Sequence, residues 1–218
     1  MVATLEYRDN IAVLNLGDTE NRFSLEWLDS ANAALDTVLA GKPTALITTG
    51  SGKFYSNGLD LDWLLANGEK MGEYVGEVQK VLARVLTLAV PTVAAVNGHA
   101  FGAGSMLAMA HDFRVMRSDR GFFCFPEVDI RIPFTTGMAA LIQAKTTPQT
   151  AVASMTTGRR YGGEDALAAA LVDRVATEDA LVATAIDIAT PLVGKDSGTL
   201  GAIKKTMFGA AEAALLTV

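Results

Sequence analysis

Apolar residues alternate or run together in short blocks over the first half of the chain and recur at helical spacing over the second. The block Ile11-Ala-Val-Leu-Asn-Leu16 reads as a buried strand, paired with a short strand ahead of it around the turn Arg8-Asp9-Asn10. Over 24–40, Leu25, Leu28, Ala31, Leu35, Val38 and Leu39 fall on one helical face. Ser24 is placed to cap that helix and Gly41-Lys42-Pro43 to stop it. Ala45-Leu-Ile-Thr-Thr49 predicts a strand, followed by a Gly/Ser-rich loop to Gly58, a helix near 60–66 and a longer one over 70–89. A further strand, Pro91–Val96, leads through a glycine-rich turn into a small-residue helix ending near His111. Phe113–Met116 and Phe122–Phe125 predict two more strands around Ser118–Gly121. From 135 onward helices dominate, at 135–144, 148–157, 163–169, 178–193 and 198–216, with one strand at Leu171–Val175. No tandem sequence repeat or low-complexity tract interrupts this order. A strand-rich front and a helix-rich back predict an α/β core with a helical C-terminal part.

Composition narrows the classes. With 218 residues, half of them hydrophobic, the chain can bury a large core. A net charge of −6 argues against a nucleic-acid binder. The longest apolar runs, such as 88–96 and 166–172, are too short to span a bilayer, and the first residues lack the pattern of a signal peptide. The single cysteine, Cys124, excludes an internal disulfide and fits a reducing compartment, so a cytoplasmic location is expected.

Three segments could carry chemistry. Asn97-Gly-His-Ala-Phe-Gly-Ala-Gly-Ser-Met106 joins a strand to a helix through a turn that leaves backbone N–H groups unpaired. It holds no strong acid or base, so its chemistry belongs to the backbone. Lys53-Phe-Tyr-Ser-Asn-Gly-Leu-Asp-Leu61 has the same layout. Two such turns could aim N–H groups at one oxygen, as an oxyanion hole requires; an ordinary strand–helix connection is the alternative for each. The third segment, Phe125-Pro-Glu-Val-Asp-Ile-Arg-Ile-Pro133, sets a carboxylate among apolar residues. Burial would make Glu127 a better base; a cap or surface ion pair is the other reading. The glycine spacings match neither a phosphate-binding P-loop nor a dinucleotide fingerprint. His99 and His111 lack clustered partners for a metal, Cys124 lacks a basic neighbour beyond Arg120, and Ser105 lacks a base. Asp60 reads as a helix cap.

Taken in order, these three segments resemble the crotonase superfamily, the enoyl-CoA hydratase/isomerase family, and are most similar to its Δ3,Δ2-enoyl-CoA isomerases. The resemblance runs from Ile11 to Tyr161–Leu167 and Leu171–Asp173. It implies a spiral of ββα units over 1–145 carrying the CoA-thioester site. A helical region over 146–218 would support a homotrimer or dimer of trimers and close the site. It implies an acyl-CoA substrate, coenzyme A being part of that substrate, with no other cofactor, metal, nucleic acid or membrane. Carried over by position, the oxyanion N–H groups fall on Asn57 and Ala103 and the acid/base on Glu127. Ser56, Gly58, Leu59, Asp60, Trp63, Phe101, Gly102, Met106 and Phe134 would contact substrate, with Leu64 a further wall. Lys53, Lys204 and Lys205 are candidates for the CoA phosphates. Hydratases of the family use two glutamates, and one of those positions is Met106 here. A thioether can neither orient nor deprotonate water, whereas shifting a double bond needs a single carboxylate. The expected activity is therefore 3-enoyl-CoA to 2-enoyl-CoA isomerisation. A hydratase or thioester hydrolase using Glu127 with Asp129, and a catalytically silent acyl-CoA binder, are the alternatives.

Overall fold

A computed structural model describes residues 3–41 and 45–217. The proposed stop at Lys42-Pro43 lies outside them. Gly41 itself closes the first helix by donating its N–H to Thr37 O at 2.9 Å.

The chain opens with an antiparallel pair, β1 (Thr4–Arg8) and β2 (Ile11–Asn15), and helix α1 (Leu25–Ala40). Three units of one design follow. Each is a strand, a second short strand and a helix: β3 (Ala45–Thr49), β4 (Phe54–Ser56) and α2 (Leu61–Ala66); β5 (Thr92–Val96), β6 (His99–Phe101) and α4 (Ala103–Ala110); β7 (Phe113–Arg117), β8 (Phe123–Cys124) and α5 (Glu127–Ile130). Between the first two units lies α3 (Met71–Leu86). The first strands of the units join a six-stranded sheet ordered β1-β2-β3-β5-β7-β9, parallel except for β1, where β9 is Arg174–Ala176. The second strands stack as a separate parallel sheet, β4-β6-β8. This is the ββα spiral that the resemblance implies. Helices α6 (Thr136–Lys145), α7 (Pro148–Thr157), α8 (Gly163–Ala168), α9 (Leu181–Ala189) and α10 (Ser197–Leu216) complete the chain.

The large sheet is covered on both faces, which explains why its strands read as continuous apolar runs. Val13, Ile47, Val93, Ala95 and Val115 meet Leu181, Ala185 and Ile188 of α9. Their alternate neighbours Leu14, Leu46, Ala94 and Met116 join the main core with α1, α3 and α4. Helix α10 lies across α3 and α6.

The structure departs from the expected elements in four places. Phe54–Ser56 and His99–Phe101, read as loop and turn, are strands. Glu127 begins a short helix. The strand expected at Leu171–Val175 is displaced to Arg174–Ala176, because the Leu171 and Val172 amides turn back to Ala166 O and plug the core.

Lys204, on α10, corrects a sequence expectation. It is buried, donates to Val90 O at 2.8 Å and pairs with Asp112 at 2.6 Å. It fastens α10 to the sheet and does not await a phosphate. Lys204→Met would leave Asp112 without its cation, with an expected loss of about 3 kcal/mol, read as a lower urea midpoint at unchanged slope.

Candidate active site

Leu59, Ala103 and Glu127 occupy equivalent places in the three ββα units, at or just before the passage from second strand to helix. Because β4, β6 and β8 are hydrogen-bonded neighbours, those passages stack side by side, roughly 5 Å apart per strand. The stacking is close. A Cβ added to Gly104 would lie 2.3 Å from Ser56 O, and one added to Gly58, at φ +78°, would lie 3.0 Å from Ala103 N. Only glycine allows the two turns to meet.

The first turn is fixed by a dense set of bonds. Ser56 Oγ donates to Asn21 O at 2.7 Å and accepts from Gly58 N at 3.1 Å. Tyr74 Oη accepts from Asp60 N and donates to Phe23 O, both at 2.8 Å. Asp60 caps α2 by accepting from Trp63 N, as expected. The Asn57 amide donates to Glu20 O at 2.8 Å, so it is not available to a ligand. This corrects the assignment carried over to Asn57. Two residues on, the Leu59 amide has no acceptor among the described residues, and Leu59 lines the adjoining cavity.

The second turn is pegged by Ser105, whose buried hydroxyl donates to Ala100 O at 2.5 Å and approaches Cys124 O at 2.9 Å. Gly102 N donates to Cys124 O at 3.0 Å. Ala103 is the first residue of α4, and its amide likewise has no acceptor among the described residues. An orphan N–H at a helix N-terminus attracts negative charge.

Glu127 sits opposite. It is 8 % exposed, and its Oε2 is buried without a partner among the described residues. Its Oε1 lies 3.3 Å from where a Cβ on Gly102 would be, which places the carboxyl against the mouth of the second turn. Burial raises its pKa from an ordinary carboxylate value to about 7. A buried, unpaired carboxyl oxygen is costly unless a ligand or reaction uses it.

These groups share a cavity of about 240 Å³. Of the expected contacts, Asn57, Leu59, Phe101, Gly102, Ala103, Met106, Glu127 and Phe134 line it. Others do not. Ser56 is fully buried in its turn bonds, and Gly58 supports the turn from behind. Trp63 leans on Tyr74, ring centroids 5.2 Å apart, and Leu64 is core. Lys53 stands over the Phe54 ring, and Lys205 borders a different hollow beside Arg84. Sequence reasoning missed Arg22, Met138, Ile130, Ile132 and Arg160. Arg22 is held by Glu20 at 2.5 Å and Asp62 at 2.6 Å, and Arg160 lies over the Phe101 ring. Nothing local marks either arginine; the fold brings them in from distant segments.

Asp129 is not a second acid of the cavity. Its carboxylate packs against Gly158, where a Cβ would come within 2.3 Å. Glu127 is the single carboxylate lining the cavity among the described residues. His111 is buried between Thr48 Oγ1 and Leu107 O, and burial holds it neutral, with a pKa of about 3. No described helix is long and apolar enough to cross a membrane.

Comparison with known proteins points to one family. The family model for enoyl-CoA hydratase/isomerase matches residues 6–218. The chain is 35 % identical to enoyl-CoA delta isomerase 3 of Arabidopsis thaliana, covering 95 % of this chain and 92 % of that one. It is 37 % identical to a carnitinyl-CoA dehydratase of Shigella flexneri over 74 % of this chain and 61 % of the relative. The apo structure of an enoyl-CoA isomerase of Mycobacterium tuberculosis superposes with a TM-score of 0.91 at 25 % identity, covering 98 % of this chain and 93 % of that one.

Proposed function

Because the chain belongs to the enoyl-CoA hydratase/isomerase family and is an enzyme of the enoyl-CoA isomerase kind, we propose that it converts 3-enoyl-CoA to 2-enoyl-CoA with Glu127 as the only acid/base. The observation that carries this reading is that, among the described residues, one carboxylate lines the cavity. In the cavity, Met106 offers no proton-transferring group, and Asp129 faces Gly158.

The Leu59 and Ala103 amides receive the thioester oxygen. Ionised Glu127 removes a proton from C2, and the electron pair delocalises into a dienolate whose oxygen is held by the two N–H groups. Donors preorganised toward developing charge need no rearrangement as the reaction proceeds. The same carboxyl then returns its proton to C4, leaving the double bond between C2 and C3. Atoms and charge balance within one substrate, so neither water nor a redox cofactor takes part, and coenzyme A arrives as part of the substrate. A pKa near 7 suits a group that must both take and give a proton near neutrality. Leu61, Phe134 and Met138 give the acyl chain an apolar wall. The reading extends to a cytoplasmic setting and a homotrimer or dimer of trimers.

Purified protein given 3-enoyl and 2-enoyl thioesters separately provides the test. The 3-enoyl compound is expected to gain the absorbance of the conjugated thioester, and the 2-enoyl compound to take up no water. Hydration of the 2-enoyl compound at a comparable rate would assign the site to the hydratase reading. Tight binding without C2 proton exchange in heavy water would assign it to the silent one. A ligand complex would place the thioester oxygen on the Leu59 amide, not that of Asn57.

A further inference from the structure

A second cavity, of about 480 Å³, lies at the base of α10, formed with the end of α6 and the start of β7. Its size is in the range of small-molecule pockets. Its walls are apolar: Phe113, Leu192, Leu200, Met207 and Phe208. Three lysines border it: Lys195 is exposed beside Asp196, which caps α10 by accepting from Thr199 N, and the other two are in opposite states. Lys204 is neutralised by Asp112 at 2.6 Å. Lys145 has no anion within ion-pairing distance and no hydrogen-bond acceptor among the described residues; its Nζ stands 4.8 Å from the centroid of the Phe208 ring. We propose that this cavity is a second ligand site, distinct from that around Glu127, which takes an alkyl monocarboxylate with its head on Lys145 and its tail along the apolar wall.

The chemistry follows from what each part lacks. A cation partly withdrawn from water needs an anion, and the two acids that line the cavity are committed elsewhere: Asp112 to Lys204 and the Thr92 amide, Asp196 to the Thr199 amide. An apolar space of this size needs a hydrocarbon. A fatty-acid anion supplies both. Burial lowers the Lys145 pKa to about 8; Arg114 and Lys204 push the same way, Asp112 and Asp173 oppose them, and His111 beside them is neutral. An arriving carboxylate would restore the full charge, so binding at pH above 8 takes up a proton.

Decanoate is the probe, titrated calorimetrically into the whole protein with and without saturating decanoyl-CoA. Saturable binding is expected in both cases, since the acyl-CoA fills the other cavity. Decanol should bind at least tenfold more weakly, and Lys145→Met should abolish that tenfold preference. On the unmodified protein, titrations at pH 8.5 in buffers of different ionisation enthalpy should show net proton uptake, and at pH 6 none. Absence of saturable binding, displacement by decanoyl-CoA, equal affinity for decanol, or no proton uptake at pH 8.5 would each overturn the proposal.

Discussion

Glu127→Gln is expected to remove 3-enoyl-CoA isomerisation while leaving acyl-CoA binding close to normal. General acid–base groups contribute about 10²–10⁴ in rate, and here one group performs both transfers, so the loss should lie at the upper end. In the unmodified enzyme kcat/KM should fall as pH drops below about 7, because the protonated carboxyl cannot accept the C2 proton. Stability should move the other way. The folded pKa lies above the unfolded one, so the native state binds more protons between the two values and loses stability as pH rises through that window. Above it the cost of an ionised, unpaired Glu127 is complete, on the order of 3 kcal/mol at most. Gln carries no such charge. The variant should therefore melt higher than the parent at pH 8 and match it near pH 4, as scanning calorimetry would measure. A variant that turns over at the parent rate would end the role assigned to this carboxyl.

Ala103→Pro is expected to lower kcat about 10²–10³-fold, the usual cost of one oxyanion donor. The substitution suits the question because residue 103 is the first of α4, where proline's fixed φ suits the helix and its missing N–H costs no intrahelical bond. Gly102 before it tolerates the constraint a following proline imposes. The melting temperature should change little, and Ala103→Gly, which keeps the N–H, should retain most activity. Matched losses in the proline and glycine variants would show that the side chain, not the amide, is what matters there.

Much of this architecture is legible in the sequence because the governing signals are local. Ser24, Asp60 and Thr147 cap helices through side-chain oxygens within three residues of the N–H they accept. The apolar runs of β2, β3 and β5 mark strands buried on both faces. What stayed hidden depends on distant partners. Phe54–Ser56 and His99–Phe101 are too short to show a period, and they become strands by pairing with each other across 45 positions. The choice between Asn57 and Leu59 turns on a bond to Glu20 O that no spacing within the motif announces. Trp63 is near the site in sequence yet faces Tyr74. Leu171 and Val172 are as apolar as any strand, but they follow Ala170, which takes φ +54°, and serve as a plug.

The three stacked passages from strand to helix carry a consequence for how such a catalyst can diversify. Each passage contributes a single chemical element, and each is anchored by its own bonds: Ser56 and Tyr74 for the first, Ser105 for the second, the cap of a one-turn helix for the third. One element can therefore be exchanged while its neighbours keep their aim. A carboxylate in place of Met106, one turn into α4, would bring a second proton carrier to the same anion cradle, opening a route from rearrangement to water addition through a single codon's change in a scaffold otherwise left alone.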